Sequence, residues 1–111
     1  MVDLFTLQIT VQLTHWQTTG YAEHKALGKM YDSLTDLTDT FIETYFGKYG
    51  RVPVASLTKL EAGESVSLCN ELYRIAEGFE SELKPVDTDL LNIAADMKAL
   101  ANHTKYLLTL K

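Results

Sequence analysis

Two histidines and two carboxylates in this 111-residue chain are of the types, and at the spacings, that hold a divalent metal. His15 closes one apolar segment beside Trp16, and His24 follows nine positions later across "TTG". Asp39 and Glu43 lie farther on, four residues apart, so one helical turn can bring both onto one cation. Imidazole nitrogen combined with carboxylate oxygen suits Fe(II), Zn(II) or Mn(II). His24 and Asp39 are 15 residues apart. On a helix that is roughly 22 Å, so one chain cannot bring all four groups to a single ion. The chain instead carries two half-sites, a histidine pair and a carboxylate pair.

The elements that position them are helical. Apolar spacing predicts helices over about 2–18, 21–46, 65–84 and 88–110. The first carries Leu4, Phe5, Leu7, Ile9, Val11, Leu13 and Trp16 and is rich in β-branched residues, but its length without Gly or Pro favours helix over strand. The second has an inner stripe of Leu27, Met30, Leu34, Leu37, Phe41 and Tyr45, and "GKYG" stops it. Ser65 is the expected N-cap of the third helix, and Asp87 or Thr88 that of the fourth. The predicted architecture is a single all-α domain, a four-helix bundle. Short connections join helices one to two and three to four, while residues 47–64 form one long crossover. Short, long, short is the loop pattern of a ferritin-like bundle.

On the second helix, with His24 at zero, the apolar stripe centres near about 280° and Asp39, Asp32 and Glu43 fall at about 60°, 80° and 100°. The polar groups therefore flank the core face. No Glu-x-x-His is present, so an inward-facing di-iron site within one chain is not expected. A two-fold axis between antiparallel second helices would set each histidine pair against the partner's carboxylate pair, giving two equal sites per dimer.

Composition narrows the function classes. The net charge is −5, with 15 acidic and 10 basic residues, the lysines are scattered and there is no basic tail. Direct nucleic-acid binding is not expected, because phosphate neutralisation supplies most of that affinity. A negative balance suits a protein that attracts cations. No apolar run approaches a membrane span, and the N-terminus lacks the basic cluster of a signal peptide. The lone Cys69 excludes an internal disulfide, suits a cytoplasmic location, and reads as a small core residue. His103 reads as an ordinary helix residue. No nucleophile–base set, phosphate loop or zinc-finger pattern appears.

"HWQTTG", followed by an amphipathic helix bearing His24, Asp39 and Glu43, resembles the ferroxidase segment of the Dps proteins, the small ferritins. Offsets of 15 and 19 residues after the second histidine match that family's pattern. The resemblance implies that His15, His24, Asp39 and Glu43 are iron ligands at a homodimer interface within a dimer or larger homo-oligomer. It further implies that Trp16 lies beside the site, with Tyr31 and Asp32 close by, and that any catalysis is oxidation of Fe(II) by peroxide or oxygen. The chain departs from the family at Gly28, where an additional Asp is usual. Its two histidines are also three residues closer together, and it is shorter, without a helix in the middle connection. Its compact length also resembles short ferritin-like proteins of bacteriophages, which would place it in the host cytoplasm. The alternative class is a non-enzymatic helical adaptor, or ligand-binding protein, on the same scaffold.

Overall fold

A computed structural model of the chain describes residues 2–51 and 63–110. The described residues form four helices and no strand: α1 (Val2–Gln17), α2 (Tyr21–Tyr49), α3 (Ser65–Glu82) and α4 (Thr88–Leu107). The threonines that made α1 ambiguous in sequence turn their hydroxyls back along the helix. Thr10 donates to the Thr6 carbonyl at 2.7 Å and Thr14 to that of Thr10 at 2.8 Å, which satisfies both hydroxyls locally. At a rise of about 1.5 Å per residue, the 29 residues of α2 account for the longest molecular dimension, 42 Å.

Several helix ends differ from the sequence reading, α3 for one stopping at Glu82 rather than 84. The second helix continues through Gly47 to Tyr49 and stops at Gly50, whose φ of +88° is one that glycine adopts without strain. Glu64, not Ser65, caps α3: its carboxylate accepts from the Val66 and Ser67 amides at 3.2 and 2.8 Å. Ser65 is instead the buried first residue of that helix. The last helix ends at Leu107, followed by a turn. The predicted crossover over 47–64 falls mostly on residues 52–62, outside the described residues, so its path is not part of the description.

Packing order follows from which ends meet. The α1 helix packs against α2 and α3, and α4 against the same two, so α1 and α4 lie on one diagonal. The Gly63 amide, just before α3, donates to Thr14 Oγ1 near the end of α1 at 2.8 Å. At the opposite end, Lys48 and Tyr49 of α2 reach Asp87, in the turn between α3 and α4. Hence α2 and α3 run parallel, each antiparallel to α1 and α4, and the described ends on either side of residues 52–62, at Arg51 and Gly63, lie at opposite ends of the bundle.

One stripe from each helix fills the core. Leu4, Leu7 and Val11 face Leu27, Met30, Leu34 and Phe41, with Leu68, Leu72 and Ile75 from α3 and Leu90, Ala94 and Met97 from α4. Cys69 is fully buried among them, and burial pushes its thiol up to about 11, so it stays protonated and inert at neutral pH. The Thr38 hydroxyl is buried without a partner among the described residues. Thr38→Val removes that unsatisfied group at nearly constant volume, so it is expected to raise unfolding stability by about 1–2 kcal/mol in urea melts.

Asp87 is the N-cap of α4 by position, but its side chain does not cap that helix. The carboxylate is 1% exposed and instead accepts from Tyr49 Oη at 2.7 Å and from the Lys84 amide at 2.9 Å, with Lys48 Nζ at 2.5 Å. The Lys48 contact first, then Tyr49 and the amide, hold the acid down at about 2, below an ordinary aspartate. A depressed carboxylate contributes stability that is fully present above the unfolded-state value of about 4 and lost as pH falls through the folded-state value. Denaturant midpoints measured from neutral to strongly acidic pH should fall below about pH 4 in the native chain. The fall should be shallower in Asp87→Asn, which starts from a lower midpoint at neutral pH.

Candidate functional site

His15 and His24 meet across the α1–α2 turn in a reciprocal arrangement. His15 Nδ1 lies 2.7 Å from the His24 carbonyl oxygen, and His24 Nδ1 lies 2.9 Å from that of His15. A carbonyl oxygen only accepts, so each ring carries a proton on Nδ1, which in the neutral imidazole leaves the lone pair on Nε2. The two rings stack, with centroids 3.9 Å apart and planes within 16°. Anchoring one ring nitrogen to a backbone carbonyl is the arrangement that orients metal-binding imidazoles.

Gly28 is part of the same unit. A Cβ built there would stand 2.8 Å from His15 Cε1 and 3.3 Å from its Nδ1, so the histidine ring occupies the space a side chain would need. The glycine that departs from the Dps-like pattern is therefore required by the stacked pose, and an aspartate there would displace His15.

Around the pair runs an open groove of about 850 Å³. Tyr21, Lys25, Gly28, Tyr31 and Asp32 of α2 line it together with Leu110 beyond α4. Trp16 is adjacent in sequence and 64% exposed, and Tyr21, Tyr106 and Leu110 are also exposed at this end. Tyr31 and Asp32 both line the groove.

Asp39 and Glu43 are exposed on the far half of α2. A hydrogen bond with Asp39, then the aspartate's charge, raise the Glu43 carboxyl above its ordinary range, so the two do meet one another. They do not meet the histidines. Among the described residues no group of three or more His, Cys, Asp or Glu side chains is arranged to hold a metal. His103 is exposed on α4. Sequence reasoning missed Lys25 and Lys29 at the groove, and it missed the Asp87 cluster.

The described residues are helical, four helices around one core, and the chain belongs to a family of unknown function, DUF5856, whose model matches residues 15–108. It is similar to the "uncharacterized 14.6 kDa protein in mobD-ri intergenic region" of Enterobacteria phage T4. The two are 27% identical over 111 residues, covering 97% of this chain and 84% of the phage protein. No solved structure matches the chain. No helix among the described residues is long and apolar enough to cross a membrane.

The stack and Gly28 are coupled, and a double-mutant cycle reads the coupling. Replacing a helical glycine by alanine ordinarily gains about 1 kcal/mol. Gly28→Ala alone should gain less, or lose stability, whereas in a His15→Ala background it should gain the full amount. A coupling of about 0.5–3 kcal/mol is expected from thermal or urea melts of the four proteins.

Proposed function

We propose that the chain is a ferritin-like protein that binds divalent metal between two copies of itself, the Nε2 atoms of His15 and His24 facing Asp39 and Glu43 of the second copy. The observation that carries this reading is the reciprocal Nδ1–carbonyl pairing, which leaves both imidazoles committed to offering Nε2 outward. Two imidazoles and two carboxylates fit Fe(II), Zn(II) or Mn(II) by donor type. Lone pairs lie in the ring planes, so the two stacked rings cannot both aim at one ion about 2.0–2.1 Å away. One imidazole binds in the stacked pose, and engaging both requires one ring to unstack.

The charge pattern of α2 supports a second copy as the source of carboxylate. Lys25 and Lys29, Asp32 and Asp36, and Asp39 and Glu43 are three like-charge pairs at a spacing of four. Each such pair destabilises an isolated helix by about 0.2–0.5 kcal/mol. None of the six forms an ion pair among the described residues. Antiparallel pairing of two α2 helices about a centre near residue 34 sets Lys25 opposite Glu43 and Lys29 opposite Asp39, with His24 next to Glu43. The parallel run of α2 and α3, whose ends are joined through one long connection, supports the ferritin-like topology. Iron is the metal we favour, as substrate of an Fe(II) oxidation with oxygen or peroxide as electron acceptor, in the host cytoplasm.

A second reading, docking of another protein, rests on the exposed Trp16, Tyr21, Tyr106 and Leu110 around the groove. Metal content and oligomeric mass of one sample, loaded anaerobically with Fe(II), separate the two. The metal reading expects about one or two irons per chain on an even-numbered oligomer. Metal at 100 times its Kd should stabilise the native protein by about 2.7 kcal/mol, and Asp39→Ala should abolish binding. Stoichiometric binding retained in that variant, or a metal-free monomer, would refute it. Lys29→Glu should break the dimer and Lys29→Glu with Asp39→Lys restore it.

A further inference from the structure

At the opposite end of the bundle from the histidines, α2 and α3 leave a cavity of about 290 Å³. Three rings from α2, Phe41, Tyr45 and Tyr49, recur at a spacing of four and form one wall, because residues one turn apart share a helix face. Phe79 of α3 completes it, stacked on Phe41 at 4.5 Å with planes 18° apart. The strip begins in the core at Phe41 and climbs to solvent, where Tyr49 is 43% exposed. Tyr45 and Phe79 pack against the core and Tyr49 is held by Asp87, and their rings together leave an aromatic wall that opens at the rim.

Charged groups line the rim: Glu82, Asp87 and Lys84, with Lys48 bound to Asp87. Asp87 is already engaged by Lys48, Tyr49 and the Lys84 amide, whereas Glu82 forms no ion pair among the described residues. The ammonium groups of Lys48 and Lys84 both sit 5.9 Å from the centre of the Tyr49 ring. Cations are thus already drawn to this aromatic surface, as the ring quadrupole favours. Aromatic faces and the Glu82 carboxylate disfavour an anion, and rings offer a bare metal ion no donor atoms. The volume lies at the lower edge of the range of roughly 300–1,000 Å³ that takes drug-sized ligands, which limits the occupant to about one ring.

We propose that this cavity binds a small organic cation with a single apolar ring, an aryl-alkyl ammonium, with the ring against Tyr45 and Phe79 and the ammonium facing Glu82. The site is independent of the metal reading, since the two share no side chain.

Two probes of equal apolar body and opposite charge, phenethylammonium and 3-phenylpropionate, test it by titration of the full chain, followed in amide NMR spectra. The cation should give saturable shifts at Tyr49, Leu83 and Lys84 and bind about tenfold more tightly than the anion. Glu82→Gln, a change on an exposed residue that leaves the fold intact, should weaken the cation about two- to fivefold and leave the anion no weaker. Tyr45→Leu should weaken both probes, the cation more. Absence of saturable shifts with either probe, equal affinity for the two, or an unchanged cation affinity in Glu82→Gln would overturn the proposal.

Discussion

The Asp87 carboxylate fixes how the two helical hairpins sit against one another. Apolar burial drives the four stripes together but is non-directional, so it does not by itself choose which ends meet. Asp87 does choose. It lies in the turn of the α3–α4 hairpin and takes its partners from the last turn of α2, in the other hairpin. A buried carboxylate left unpaired costs several kcal/mol, so any slippage that withdrew Lys48 and Tyr49 would be strongly penalised. Lys48 also stands in the last turn of α2, where a cation is favoured by the helix dipole. The parallel run of α2 and α3 follows from this contact together with the Gly63–Thr14 hydrogen bond at the other end.

At that other end the constraint is steric as much as polar. Two imidazoles stack only because α2 presents a glycine to the face of His15. Their mutual carbonyl contacts close the turn after α1 without a side-chain cap on α2, whose N-cap is Gly20. The pair thus serves the fold as it stands, while each ring keeps one nitrogen uncommitted. A structural role and a ligand role are compatible here, since they use different nitrogens of the same ring.

Much of the fold was legible in the sequence because it is written locally. Leucine and methionine spacing specified the four stripes, and Cys69 fell on one of them. Boundaries were less legible where packing overrode propensity. Gly47 costs its helix about 1 kcal/mol, yet α2 continues because Tyr49 gains a hydrogen bond to Asp87. Ser65 looked like a cap, but the longer Glu64 reaches the same amides and leaves the serine buried. Asp87 was legible as a helix start. The fate of its carboxylate was not, because its partners lie 38 and 39 residues away in sequence. Proximity of His15 and His24 could be read from the short turn, whereas the stack and the service of Gly28 could not, because both depend on how closely α1 approaches α2.

The outward face of α2 is the part of the structure that a solitary chain explains least. Exposed helices commonly alternate charge so that neighbours one turn apart attract. Here the three pairs at a spacing of four among the six charged residues from Lys25 to Glu43 all repel, although Lys29 and Asp32, three apart, are of opposite sign, and the signs are sorted, basic toward the histidines and acidic away from them. The Glu43 carboxyl is raised first by its hydrogen bond with Asp39 and then by the aspartate's charge. Sorted charge of this kind is self-complementary under a two-fold rotation, because reversing the helix exchanges its basic and acidic halves. Both penalties, repulsion along the helix and carboxylates without a cation, are relieved by the same partner, another copy of α2 running the opposite way.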